Sequence, residues 1–173
     1  MREDTVAILT TPRLRLRPFE ERDRPALRDF QMDPETMSTY GAGRPLTADE
    51  ADRVLKYHIE CRSYPYWAWA VTLPADDACI GQVTVGWSDY KGERWIELGW
   101  ILNKDMWGQG YGTDAVRAVL EHGLKALQWK RAMAGARDTN RRSTRLMTKV
   151  GMRFVLEEPS PKGPWLRHVF EIP

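Results

Sequence analysis

Seven residues, Trp107-Gly108-Gln109-Gly110-Tyr111-Gly112-Thr113, separate two incompatible hydrophobic periods. On their N-terminal side, Ile96, Leu98, Trp100 and Leu102 fall on alternate positions of Trp95 to Leu102, the two-residue period of a strand. On their C-terminal side, Ala115, Val116, Val119, Leu120, Leu124 and Leu127 recur at helical spacing. The chain must pass from strand to helix through three alternating glycines. Such a turn lets backbone amides approach a ligand closely. The helix start adds unpaired N–H groups and a partial positive charge, a setting that suits a phosphate or pyrophosphate. By itself the segment is equally well a tight strand-to-helix turn. A dinucleotide GxGxxG pattern fails at Thr113, and no GxxxxGK[ST] occurs anywhere.

Arg13 to Pro18 alternates R-L-R-L-R-P and predicts a first strand. Asp23 reads as the N-cap of a short helix to about Met32, with Pro25 in its first turn. Thr47-Ala48-Asp49-Glu50 is a capping box that opens a second helix to about Arg62. Trp67 to Leu73, Cys79 to Trp87 and Trp95 to Leu102 are aromatic and β-branched, and turn residues separate them. They predict a three-strand antiparallel meander. After the glycine turn and its helix come a strand, Arg131 to Ala136, and a helix, Asn140 to Val150, ended by Gly151. Met152 to Leu156 and Trp165 to Ile172 close the chain as a hairpin whose turn holds Pro159, Pro161, Gly163 and Pro164. The element order is β-α-α-β-β-β-α-β-α-β-β. That order predicts an α/β fold with a mixed central sheet flanked by helices.

A chain of 173 residues can bury a full core as one domain, and the 42% hydrophobic and 29% charged balance is globular. A net charge of +2 argues against a dedicated nucleic-acid partner. Cys61 and Cys79 are too few for a disulfide framework, and the histidines, His58, His122 and His168, lack metal-ligand spacing. No metal is expected. The uncharged run from Ser63 to Ala75 is 13 residues with two prolines, well short of the roughly 20 that a membrane span needs. The expectation is a cytoplasmic protein without a membrane partner.

Five segments, in order and covering nearly the whole chain, resemble the GNAT acyltransferases, and among these the branch that includes ribosomal-protein N-terminal acetyltransferases. They are the opening T-P-R-L-R-L-R-P-F with Asp23 after it, Cys79-Ile80-Gly81-Gln82-Val83, Ile96-Glu97-Leu98-Gly99-Trp100-Ile101-Leu102, the Trp107–Thr113 turn, and Asn140 to Phe154. Trp107 stands where the wider superfamily usually has Arg or Gln, Gly112 is often Ala there, and Met152 loosens the usual helix ending. The resemblance implies residues 1–173 as one acyl-CoA N-acyltransferase domain that binds acetyl-CoA between splayed strands. Backbone groups of Ile101, Leu102 and Asn103 would pair with pantetheine. The pyrophosphate would sit on the turn formed by Trp107, Gly108, Gln109, Gly110, Tyr111, Gly112 and Thr113. Asn140 and Ser143 would face the thioester, and Arg142, in a stretch with eight basic residues against one acidic from Lys130 to Arg153, would stand near a phosphate.

The implied reaction is direct attack by an amine on the thioester, with a backbone amide near Leu102 polarising the carbonyl. Glu97 is the candidate base, or a half-exposed strand glutamate without chemistry; Ser143 is the candidate acid for the thiolate, or a cofactor contact. The acceptor is expected to be a protein N-terminal α-amine. A small cationic amine such as a polyamine or aminoglycoside is the alternative, and a catalytically idle acyl-CoA-binding module is a third reading. Ten acidic against six basic residues from Glu20 to Glu60 lean toward a cationic acceptor. The groove for it should come from the first two helices and the loop between them, with Trp67, Trp69 and Trp87 as candidate lining. A homodimer through Trp165 to Ile172 is a possible assembly.

Overall fold

A computed structural model describes residues 6–41, 43–61, 63–160 and 164–171. Among these, eight strands form one sheet: β1 (Leu9–Thr10), β2 (Arg15–Arg17), β3 (Ala68–Thr72), β4 (Cys79–Tyr90), β5 (Glu93–Leu102), β6 (Arg131–Arg137), β7 (Arg153–Glu158) and β8 (Trp165–Glu171). The helices are α1 (Arg24–Gln31), α2 (Pro34–Met37), α3 (Ala48–Glu60), α4 (Tyr111–Lys125) and α5 (Arg141–Lys149). The spatial order is β1-β2-β3-β4-β5-β6-β8-β7. Every neighbouring pair is antiparallel except β5 with β6.

The expected meander is β3-β4-β5. Its second hairpin is longer than the sequence signals, with Tyr90 opposite Glu93 across a two-residue Lys91-Gly92 turn. Side-chain size sorts the two faces of the sheet. Trp67, Trp69 and Val71 join the core under α4, with Leu14, Leu16, Val116 and Val119, whereas Ala68 and Ala70 join Phe19, Leu27, Phe30 and Leu55 under α1 and α3. Trp67 and Trp69 are 2% and 0% exposed and so are not groove lining. Ile101 is buried under α1 and α3, and Trp95 among Tyr90, Met133 and Val169 of the strands, although the period alone would place both on an open face with Glu97.

Several local expectations are corrected. The two-residue β1 and four-residue α2 were absent from the expected order, being too short to show a period; Asp33 caps α2 by accepting from the Thr36 amide at 2.7 Å. Asp23 does not cap α1 with its side chain. Its carboxylate accepts from the buried Arg17 guanidinium at 2.7 and 2.8 Å and from the Glu20 amide, because a buried cation must be paired. Thr47 and Glu50 form the expected box at the start of α3. The expected end of that helix at Arg62, the turn residues Pro161 and Gly163, and Ile172 lie outside the described residues. Finally, β8 rather than β7 sits against β6, so the last strand is interior and β7 forms the edge.

Candidate active site

β5 and β6 pair only through Ile96 with Ala132 and Glu97 with Met133. Past that point both strands continue, held on their outer sides by β4 and β8. The Asn103 N–H donates to the Ile80 carbonyl at 2.9 Å, which sets the parity of the ladder. Alternation then turns the peptide groups of Ile101 and Asn103 toward β4, and those of Leu98, Trp100 and Leu102 toward the gap. The Asp138 N–H on Pro164 fixes the parity of β6 in the same way and leaves Gly135 facing the gap. A cleft of about 1060 Å³ opens on these parted edges.

One end of the cleft is made of backbone. Gly108 and Gly110 have φ of +77° and +85°, a region that strains any residue with a side chain. Gly110 is the N-cap of α4, and Tyr111, Gly112 and Thr113 form its first turn and line the cleft. No atom lies within 4 Å of where a Cβ on Gly108 would stand, so the turn presents open space to a ligand. The Trp107 indole donates to the Leu102 carbonyl at 3.0 Å and ties the turn to the end of β5. Gln109 faces away from the cleft, its amide donating to the Asp105 carbonyl and its own carbonyl accepting from Arg13. Asn103 is likewise outside the cleft; its side chain accepts from the Asp105 amide.

α5 forms the adjoining wall. Asn140 caps it by accepting from the Ser143 amide at 3.2 Å, and both residues line the cleft. Among the described residues no hydrogen bond engages the Ser143 hydroxyl. Arg142 stacks its guanidinium 4.0 Å above the Trp107 ring, and Arg141, Arg145 and Lys149 stand on the same rim. The helix start, the open glycine turn, the unpaired peptide edge and this basic rim together fit a long ligand with phosphates at one end and amide groups along its length.

The other end is made of side chains. Glu35 and Thr36 of α2, Ser38 to Gly41 after it, and Thr84, Gly86, Trp87, Glu97 and Gly99 line it. Glu97 accepts from Arg167 at 2.5 Å through one oxygen; Arg167 also donates to Glu158 at 2.7 Å. Burial works to lower the Arg167 pKa, but the two carboxylates outweigh it and hold it above its usual value. Tyr40 accepts from Gln82 at 3.3 Å and packs over Gly99, whose absent Cβ would come 3.6 Å from the Tyr40 hydroxyl. Gln82 in turn accepts from Gln31 at 3.2 Å. Beneath this network His58 stacks on Phe19, and burial pushes its imidazole down to about 4.

The fold brings Glu97, Ser143, Asn140 and Arg142 to one cleft with Trp107, Gly108 and Gly110 to Thr113. It does not place Trp67 or Trp69 there, and the acidic stretch contributes little. Asp23, Asp33, Glu50 and Asp52 are held by Arg17, Lys104, Arg44, and Arg24 with Arg28 respectively. The loop between the first two expected helices lines this end through Ser38 to Gly41; the sequence does not single out Tyr40 within it, nor Arg167 as the partner of Glu97. Arg167 falls within the expected closing strand, but a strand's period does not name the partner of a side chain, and Tyr40 lies in a loop without a period. Among the described residues no helix is long and apolar enough to cross a membrane, and no group of three or more His, Cys, Asp or Glu residues could hold a metal ion.

Residues 13–153 match the family model described as an acetyltransferase (GNAT) domain. The chain is 31% identical over 147 residues to an uncharacterized N-acetyltransferase, YnaD, of Bacillus subtilis, covering 84% of this chain and 82% of that one. Its fold superposes on a GNAT-family acetyltransferase from Bacillus anthracis with a TM-score of 0.83 at 23% identity, covering 95% and 98% of the two chains. It also superposes on RimL, a ribosomal L7/L12 alpha-N-protein acetyltransferase solved in complex with coenzyme A. There the TM-score is 0.78 at 15% identity, with 96% and 98% of the two chains covered.

Proposed function

The chain belongs to the GNAT acetyltransferase family, and from that premise we propose that it moves an acetyl group from acetyl-CoA to a protein N-terminal α-amine by direct attack. The single observation that carries the cofactor reading is the parting of β5 from β6 beside a glycine turn that opens a helix. Acetyl-CoA, when bound, supplies an activated acyl group and a good leaving thiolate. The amides of Gly110 to Thr113 hold the phosphates, with Arg142 beside them. The peptide edge of Leu98 and Trp100 holds the pantetheine amides, which moves the pairing one residue away from Ile101 and Asn103. A peptide N–H of that edge polarises the thioester carbonyl. Ser143 Oγ donates the proton that the departing sulfur needs.

The acceptor reading rests on how little base the cleft holds. Among the described lining residues the only carboxylates are Glu35 and Glu97, there is no histidine, and Arg167 occupies one oxygen of Glu97. An α-amine with a pKa of ~8 is roughly a tenth neutral at pH 7, whereas a lysine at ~10.4 is neutral in fewer than one molecule in a thousand. A partly engaged Glu97 suffices for the first, taking up the amine's proton directly or through a water.

Thermal melting with acetyl-CoA, CoA and NAD tests the cofactor; a ligand at ~100 times its Kd adds roughly 2.7 kcal/mol. Acetyl-CoA and CoA should both raise the Tm and NAD should not. Thiol release in the presence of matched peptides then tests the acceptor. Turnover is expected with a free N-terminus and absent with a blocked N-terminus and an internal lysine. Turnover confined to polyamines or aminoglycosides would replace the peptide reading with the small-molecule one.

A further inference from the structure

Arg13 ends the loop before β2 and lies far along the sequence from the glycine turn, yet its guanidinium is built into that turn. Nε and Nη2 donate to one oxygen of Asp114, at 2.9 and 2.7 Å, and Nη1 donates to the Gln109 carbonyl at 2.8 Å. The same group lies 5.0 Å from the centre of the Tyr111 ring. A Cβ on Gly110 would come 2.9 Å from Nη2, so this glycine answers to Arg13 as well as to its own φ. All five N–H groups of a guanidinium lie in one plane, and here three of them join a strand end, a loop carbonyl and a helix side chain.

The electrostatics explain why this contact has a ligand-facing consequence. Asp114 sits in the first turn of α4, whose amides are those offered to an anion. Its carboxylate favours the helix dipole but repels a phosphate placed on the same amides. The Arg13 charge cancels that repulsion without itself lining the cleft. Holding the Gln109 carbonyl outward also keeps the oxygen of that peptide away from the anion.

We propose that Arg13 is a positioning residue for the phosphate end of the cleft, acting chiefly by neutralising Asp114 and only secondarily by fixing the Gln109 peptide. The proposal rests on the acetyl-CoA reading given above. Calorimetric titration with CoA tests it on wild type, Arg13→Ala, Arg13→Lys, Asp114→Asn and the Arg13→Ala/Asp114→Asn pair. At about 50 mM salt, where screening is weak, Arg13→Ala should bind CoA roughly tenfold more weakly. Arg13→Lys, which keeps the charge, should recover most of that loss, and Asp114→Asn alone should stay within about twofold of wild type. The double variant should return to within about threefold of wild type, and the whole spread should narrow at about 500 mM salt.

Unchanged affinity in Arg13→Ala would overturn the proposal. So would a double variant as weak as Arg13→Ala, since Arg13 would then act on the ligand directly or only through the fold. Should Arg13→Ala fold poorly, Arg13→Gln takes its place, with the same loss expected alone and the same recovery expected when paired with Asp114→Asn. A wild-type chain that binds no CoA overturns both this and the acetyl-CoA reading. Binding by wild type with a flat variant series overturns the Arg13 role alone.

Discussion

At the phosphate end of the cleft, Gly108, Gly110, the first turn of α4 and the freed edge of β5 present peptide groups. At the acceptor end, Tyr40, Trp87 and Glu97 present side chains drawn from a loop and two strands. Backbone groups are positioned by secondary structure, so the first end is as rigid as the sheet and helix that carry it. Side chains at the second end depend on partners elsewhere: Tyr40 on Gln82, and Glu97 on Arg167. One end therefore tolerates exchange of side chains but not of conformation, and the other the reverse.

The largest effect that could break this contrast is Gly110→Val. A β-branched residue at φ +85°, 2.9 Å from Arg13 at its first carbon, cannot keep the turn. CoA affinity should fall by about a thousandfold while the chain still folds, since the turn lies outside the main core. Titration with CoA checks this, and a loss under tenfold would mean the turn does not hold the phosphates.

Next comes acid. An unfolded His58 takes up a proton near 6.5 and the folded one only near 4. The unfolded chain therefore binds more protons in that window, and stability is complete above 6.5 and falls toward 4, by about 3 kcal/mol in all. His168, also lowered by burial, acts in the same direction, whereas Asp33 and Glu50, lowered to about 2 by Lys104 and Arg44, act only in stronger acid. Melting curves between pH 6.5 and 4.5 should fall more gently for His58→Phe. Gly110→Val should keep the full slope, because the acid-sensitive group lies under the acceptor end alone.

Smaller still is Glu97→Gln, expected to lower kcat about tenfold on an α-amine peptide with the KM for acetyl-CoA unchanged. A rise in the KM for acetyl-CoA with kcat unchanged would place Glu97 in cofactor binding instead. Asn140→Ala should be the mildest. Loss of the α5 cap costs about 1 kcal/mol in a thermal melt and weakens CoA by a few-fold, without moving the KM of the acceptor.

The same contrast explains which parts were legible. Thr47 with Glu50, the three meander strands and the glycine turn are local signals, each contained in a few consecutive residues. The phosphate end is made of such segments and could be named from them. Arg13 meets Asp114 and Arg167 meets Glu97 across most of the fold, and nothing in the spacing of those residues announces it. Asp23 shows the same limit: its position reads as a cap, but the buried Arg17 claims its carboxylate. The place of β8 between β6 and β7 also escaped, because a hairpin has the same sequence signature whichever of its strands faces inward.

That interior place for β8 has a consequence in time. Synthesis delivers the chain from its N-terminus at about 5–20 residues per second, and among the described strands β7 has no neighbour but β8. Until Trp165–Glu171 has emerged, β6 keeps two open edges over most of its length and β7 has nothing to pair with. The nascent chain exposes unpaired strand during that interval, the state most prone to stray pairing with other chains. Arg167 arrives on the same strand, so Glu97 acquires its partner in the closing step of assembly. The pairing of β8 with β6 and the anchoring of Glu97 are one event.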